Sequence, residues 1–300
     1  MKRPSAITYF ALTLVSLLYG INYSILKIVV PAYVGPFGFI VYRVAISAII
    51  FWGIHAFIQE KINWKQDGWR LVVCGLTGIA VNQLLFFKGV SLTTAVNGSI
   101  IMTLTPIMVL IWAAILINER ITPGKILGIL LGLVGALIII SKSGGAESSG
   151  NWQGDLLVFI NAISYACYLV LVKPLMAHYR PLTVITWVFT FGLVFVIPVG
   201  WREALAVFPV SFPPQVWWSA VYTILGVTVV VYALNAWTLK KVNASVVGSF
   251  IYLQPIFATL TAVVFFDEIF LWEHILASVF VFSGVWLVTK PSLSVSTSKD

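Results

Sequence analysis

The amino-acid sequence predicts an all-α integral membrane protein: ten transmembrane helices arranged as two inverted five-helix repeats. Three observations lead there. Hydrophobic residues make up 60% of the 300 and charged residues only 9%, with a mean hydropathy of +1.01; a soluble domain carries about 25% charged residues. Apolar runs of about 20 residues, the length that crosses a bilayer's hydrocarbon core, recur along the whole chain. The second half of the chain also repeats the first.

The first apolar run, near 7–29, follows Lys2 and Arg3. It exceeds the roughly 7–15 residues of a signal-peptide core and leads directly into another run, so a retained helix is expected. A break rich in proline over 31–36 separates it from a second helix near 36–58, and a third is expected near 70–87. The fourth, near 93–117, contains TPIMVLIWAAILINER (residues 105–120), and the fifth, near 124–141, follows Pro123-Gly124. The linker SGGAESSG (143–150) falls at the midpoint, dividing a first repeat (1–142) from a second (153–300) across 143–152. The second set is expected near 154–176, 181–200, 215–238, 244–266 and 273–289, punctuated at 178–181 and 209–214.

This layout accounts for the net charge of +8 without nucleic acid. With the N-terminus in the cytoplasm, the inner segments hold Lys2, Arg3, Lys61, Lys65, Arg70, Arg120, Lys125, Arg180, Lys240, Lys241, Lys290 and Lys299. The outer loops hold Lys88, Lys142 and Arg202, and Lys27, Arg43 and Lys173 fall within helices. Short loops rich in Lys and Arg stay inside, so both termini are expected in the cytoplasm, across a bacterial-type inner membrane. Cys74 and Cys167 lie inside apolar runs and indicate neither a disulfide framework nor a metal cluster. No glycine loop precedes a lysine in phosphate-binding order, and His55, His178 and His274 are expected to be isolated at helix ends. No cofactor, metal or enzymatic activity is expected, and without an ATP-binding segment transport energy would come from a gradient or an exchanged solute.

Shifting the chain by 149 residues lays 69–139 on 218–288 without a gap, with 14 of 71 positions identical. They include Ala95/Ala244, Pro106/Pro255, Glu119/Glu268 and Gly135/Gly284; a shift of 146 pairs Tyr19 with Tyr165 and Lys27 with Lys173. Five helices per half is an odd number, so the second half enters from the opposite side. Such inverted repeats are associated with alternating access of one central site. A proline-containing fourth helix ending in Glu-Arg, followed by the glycine-rich GKILGILLGLVGALIII, resembles the EamA family of the drug/metabolite transporter superfamily over about residues 5–290. The resemblance implies the five-plus-five duplication, export of amino acids, other metabolites or drugs, and a central cavity among helices 1, 3, 4, 6, 8 and 9. The second half departs from the pattern, with Asp-Glu-Ile where the first has Asn-Glu-Arg.

Candidate site residues fall on those same helices. Amides and hydroxyls in hydrocarbon need partners, so Asn22, Tyr23, Asn82, Gln83, Asn97 and Thr105 should face the bundle interior. Asn161, Tyr168, Tyr232, Asn235, Tyr252 and Gln254 do the same in the second half. Together they are expected to line a substrate path, with helix–helix hydrogen bonding accounting for some of them. Pro106 and Pro255 are expected to kink their helices by releasing the carbonyls of Met102 and Ile251, as gating points or as packing features. Glu119 and Glu268 are helix-end carboxylates that fix helix position or pair with a loop cation. Lys27 and Lys173 should snorkel to the interface. Arg43, roughly 10 Å into its helix at 1.5 Å per residue, is either functional or a partner for backbone carbonyls. Gly124, Gly128 and Gly132 form a small-residue stripe suited to packing within the chain or to a weak homodimer.

The expected partners are a small-molecule substrate and the lipid bilayer, without nucleic acid. The expected function is secondary export of a small metabolite such as an amino acid. Efflux of organic cations and a membrane channel are the rival readings. A reporter fused after Asp300 is expected in the cytoplasm and one inserted within 143–150 in the periplasm; finding both on one side would remove the inverted arrangement.

Overall fold

The computed structural model describes residues 6–58, 60–117, 122–142, 151–207, 211–239 and 250–289. Glu119, the linker at 143–150 and Ala244 lie outside them. Among the described residues every regular element is helical: α1 (Ala6–Val29), α2 (Pro36–His55), α3 (Trp64–Leu92), α4 (Ala95–Met102 and Thr105–Ile117) and α5 (Pro123–Lys142). The second half holds α6 (Trp152–His178), α7 (Pro181–Leu205), α8 (Pro214–Val221, Tyr222–Val230 and Val231–Leu239), α9 (Ile251–Leu253 and Gln254–Phe266) and α10 (Trp272–Thr289). Seven are long and apolar enough to cross a membrane: α1, α2, α3, α4, α6, α7 and α8. The apolar stretches of α5, α9 and α10 are shorter. The α3 helix begins at Trp64 and runs to Leu92, extending past 70–87 at both ends, and Trp64 anchors its first turn edge-on to Trp187 of α7.

The outer surface is apolar, with Ile49, Phe57, Leu130, Leu137, Phe265 and Val264 exposed, while Asn, Thr, Ser and Gln turn inward. Lipid offers no hydrogen bonds, so this inside-out polarity follows. Exposed tryptophans sit near helix ends (Trp64, Trp69, Trp152, Trp217, Trp218 and Trp272), where an amphipathic indole meets the headgroups.

Hydrogen bonds at the two ends reveal how the helices alternate. At one end, where α1 finishes, Glu203 accepts from the Phe37 and Gly38 amides, Asn151 N donates to Leu92 O, and Lys27 reaches Glu268. At the other, Tyr179 donates to Asp67 and Glu60 accepts from the Arg180 amide. These are called below the Lys27 end and the Asp67 end.

Helix contacts are close because glycines stand where they cross. α5 packs on α10, α2 on α7, α3 on α6 and α1 on α9. A β-carbon on Gly135 would lie 2.8 Å from the Ala277 carbonyl oxygen, and one on Gly284 2.5 Å from that of Gly128. Residues 128 and 135 match 277 and 284 under the shift of 149, so the α5–α10 contact is reciprocal. The glycine stripe is therefore occupied within the chain at Gly128 and Gly132, while Gly124 has open space around it.

Both prolines of the repeated motif stand at restarts rather than at kinks in continuous helices. α4 pauses at Thr103 and Leu104 and resumes at Thr105; in α9 the 3-10 turn Ile251–Leu253 comes directly before the α-helix that resumes at Gln254. Each proline falls in the first turn of the resumed helix, where a missing N–H leaves nothing unsatisfied. The expected orphan carbonyls are covered: Met102 O accepts from Thr105 Oγ1 at 2.7 Å, and Ile251 O from the Gln254 amide. Neither sequence periodicity nor composition signals the π-helical turns Leu76–Val81 in α3 and Tyr222–Val230 in α8. These overlap under the same shift, and each immediately precedes polar site candidates.

Gly154 tests the close crossing of α3 and α6, since a β-carbon there would meet Gly89 O and Thr93 N, both at 2.8 Å. Gly154→Val is expected to destabilise the purified protein by about 1–3 kcal/mol in thermal unfolding. Gly124→Ala, with nothing within 4 Å, should leave the midpoint unchanged.

Candidate functional site

A polar cluster forms in the interior from five helices. The α2 helix carries Arg43 there, seven residues from its start and only 4% exposed. Its Nε donates to the Thr228 hydroxyl, which in turn donates to the Thr223 carbonyl at 3.0 Å, five residues back in the π-helical turn of α8. Thr223 Oγ1 continues to Asn22 Oδ1 on α1 at 3.1 Å. The guanidinium lies over the Phe87 ring of α3, with its carbon 4.8 Å from the centroid, and the phenols of Tyr19 and Tyr232 stand beside it.

Gln83 lies one helical turn before Phe87, on the same face of α3. It is 3% exposed, and neither its amide oxygen nor its nitrogen has a hydrogen-bond partner. The side chain lies against the Tyr232 phenol without reaching hydrogen-bond geometry. Tyr165 and Tyr168 of α6 stack at 5.9 Å and complete the wall, Tyr168 pressed onto Gly78 in the π-helical turn of α3. Tyr19, Tyr165 and Tyr232 are half-buried, and their phenols face one another in this cluster.

The energetics of this cluster set it apart. An unpaired buried amide costs about 1–3 kcal/mol, and a buried charge without a counter-charge costs several kcal/mol. Among the described residues no carboxylate lies within ion-pair distance of Arg43. A stacked ring and one threonine compensate part of that charge.

The other candidate residues are placed differently. Asn22 is committed to Thr223 and Asn161 to the Asn82 carbonyl at 2.6 Å. Thr105 covers Met102 O. Tyr23 packs edge-on to Phe86 at 5.3 Å, and Tyr252 edge-on to Phe282 at 5.9 Å with its hydroxyl buried and unpartnered. Gln254 is buried beside Gly20, while Asn82 and Asn235 are half-buried. Tyr19, Arg43 and Tyr165 belong to the central cluster. The signals for them in the sequence were a mid-helix arginine and the Tyr19/Tyr165 match under the repeat.

Asn97 instead joins a network at the Lys27 end. Its Nδ2 donates to Asp155 Oδ2 at 3.2 Å, and Thr93 also donates to Asp155. His274 is not isolated. Its Nδ1 accepts from the Leu271 amide at 3.0 Å, which leaves Nε2–H to donate to Asn97 Oδ1 at 2.9 Å. Beside this network, Asp267 takes a left-handed turn (φ 52°) that ends α9 and returns Glu268 toward α4. The Glu268 carboxylate accepts from the Ala95 amide at 3.0 Å and from Lys27 Nζ at 2.7 Å. Lys27 therefore pairs across the bundle rather than snorkelling. The helix N-terminus and the lysine both favour a negative charge there.

The EamA-like transporter family matches residues 6–141 and 152–290. An "Uncharacterized transporter" of Archaeoglobus fulgidus is 26% identical over 94% of this chain and 97% of its own. A "Probable terminal-alkyne amino-acid exporter" of Streptantibioticus cattleyicolor is 26% identical, over 74% of this chain and 73% of its own. A solved crystal structure, 18% identical, is similar in fold with a TM-score of 0.61, covering 95% of this chain and 98% of that one.

Glu268 joins three elements, so its loss should exceed that of its lysine partner. Glu268→Ala is expected to lower stability by about 1–2 kcal/mol and Lys27→Met by less than half as much, read from thermal unfolding in detergent. Equal losses would reduce the arrangement to a simple ion pair.

Proposed function

The chain belongs to the EamA-like transporter family, and from that premise we propose that it is a secondary exporter of small metabolites, amino acids or similar solutes, working by alternating access. The observation that carries this reading is the central cluster, because both halves build it. Gln83 and Tyr232 occupy equivalent positions under the 149-residue shift and lie against each other. Each follows a π-helical turn, a helix irregularity frequent at functional sites.

The proposed architecture is ten crossings in two inverted halves with both termini cytoplasmic, which makes the Lys27 end periplasmic. Three features support it: the reciprocal α5–α10 contact, the alternation of helix ends, and the exchange of partners in which α1 packs on α8 and α9 as α6 packs on α3 and α4. Broken helices such as α4 and α9 suit a site that opens to either side, because few hydrogen bonds join each resumed segment to the one before it. In the conformation described, Glu268 fastens α1 to the N-terminus of α4, and the Asp155–Asn97–His274 network fastens α4 to α6 and α10. Opening the Lys27 end requires both to part. The name of the Streptantibioticus relative favours amino-acid export within this scheme. Arg43 at the centre disfavours organic cations, which would meet like charge there.

Purified protein in liposomes tests the reading with labelled neutral amino acids and a quaternary ammonium dye. Saturable amino-acid counterflow is expected, reduced at least tenfold by Gln83→Ala or Tyr232→Ala. Asn161→Ala should act mainly by lowering the amount of folded protein. Competition by the dye but not by amino acids would favour multidrug efflux, and ohmic current without saturation would favour a channel.

A further inference from the structure

The central arginine identifies the chemistry of the substrate more closely. We propose that Arg43, with Gln83 and Tyr232, is a carboxylate-recognition subsite, so that the exported solute must carry a carboxylate; this rests on the transporter reading above. Arg43 spends one donor, Nε, on Thr228, and among the described residues it makes no other hydrogen bond. The Nη1 and Nη2 edge is left, the edge that meets a carboxylate end-on through two parallel hydrogen bonds. Thr228 and the Phe87 ring hold the plane of the guanidinium, which fixes the direction of that edge.

Gln83 supplies the second, independent observation. A buried primary amide with both ends unpartnered within the protein is unfavourable, and a ligand that supplies a donor and an acceptor satisfies it. It projects from the same face of α3 as Phe87, one turn away, and so within reach of a group held on Arg43. Tyr232 reaches both residues and can donate its hydroxyl to the same oxygen pair. One guanidinium with no lysine in the cluster balances a single negative charge. That matches a carboxylate, whereas a phosphate dianion would bring a second charge into apolar surroundings. Tyr19, Tyr165 and Tyr168 then provide flat walls for the remainder of the solute.

A matched set of probes tests this: phenylalanine, phenylalaninamide, 3-phenylpropionate and phenethylamine, each competing for labelled phenylalanine counterflow in liposomes. The two carboxylates are expected to compete at least tenfold better than the amide or the amine. Arg43→Gln should abolish that discrimination and Arg43→Lys restore part of it. Gln83→Glu places a carboxylate one helical turn from the Phe87 ring over which the arginine lies. It should raise the thermal midpoint by about 4 °C while lowering transport at least tenfold, a combination that a purely structural arginine would not give. Equal competition by amide and carboxylate would overturn the subsite and leave the transporter reading standing. If the wild type moves none of the four, amino-acid export fails, and the thermal measurement still decides: no gain in Gln83→Glu overturns the subsite.

Discussion

A bilayer supplies no hydrogen bonds, and much of this structure follows from that constraint. Every backbone carbonyl released inside the bundle must be met by the chain itself. The two broken helices meet it locally, with Thr105 covering Met102 and a 3-10 turn covering Ile251. The π-helical turn of α3 is met from α6, where Ser164 donates to Thr77 O and Asn161 to Asn82 O just beyond the turn, and that of α8 from within, where Thr228 donates to Thr223 O. The irregularity in α3 thus requires polar side chains on the facing helix, and these draw α3 and α6 together.

Glycine makes those donations possible by letting the helices approach. Gly89 and Gly154 bring α3 and α6 into backbone contact, and Gly128, Gly132, Gly135 and Gly284 do the same for α5 and α10. Dispersion from such contacts replaces the hydrophobic drive that lipid does not provide. At the α5–α10 crossing the small residues meet reciprocally, Gly135 against Ala277 and Gly284 against Gly128.

The polar interior divides by energetic state. Asn22, Asn97 and Thr105 have partners within the protein and act as ties between or within helices, and Asn161 ties through its amide nitrogen while its buried oxygen stays unpartnered. Arg43 and Gln83 have donors and acceptors that the described residues leave unused. Unspent hydrogen-bonding capacity in a dry interior is unfavourable for folding, and a ligand that satisfies it recovers that free energy on binding.

Composition, run length and the 149-residue shift determined the helical membrane class, the helix order and the equivalence of Pro106 with Pro255, because hydrophobicity and repeats are local properties of the chain. The same information placed twelve polar residues on interior faces without distinguishing ties from site. That distinction depends on which atoms meet across helices far apart in sequence, as Asn22 meets Thr223 and Lys27 meets Glu268. His274 illustrates the limit: an unremarkable residue near a helix start, it becomes a buried donor to Asn97 only because α10 lies against α4. The π-helical turns left no compositional mark, since they arise from packing. Tertiary structure alone decided that Arg43 has a threonine and a phenylalanine for company rather than a carboxylate, because a charge pair is a property of distance and not of order along the chain.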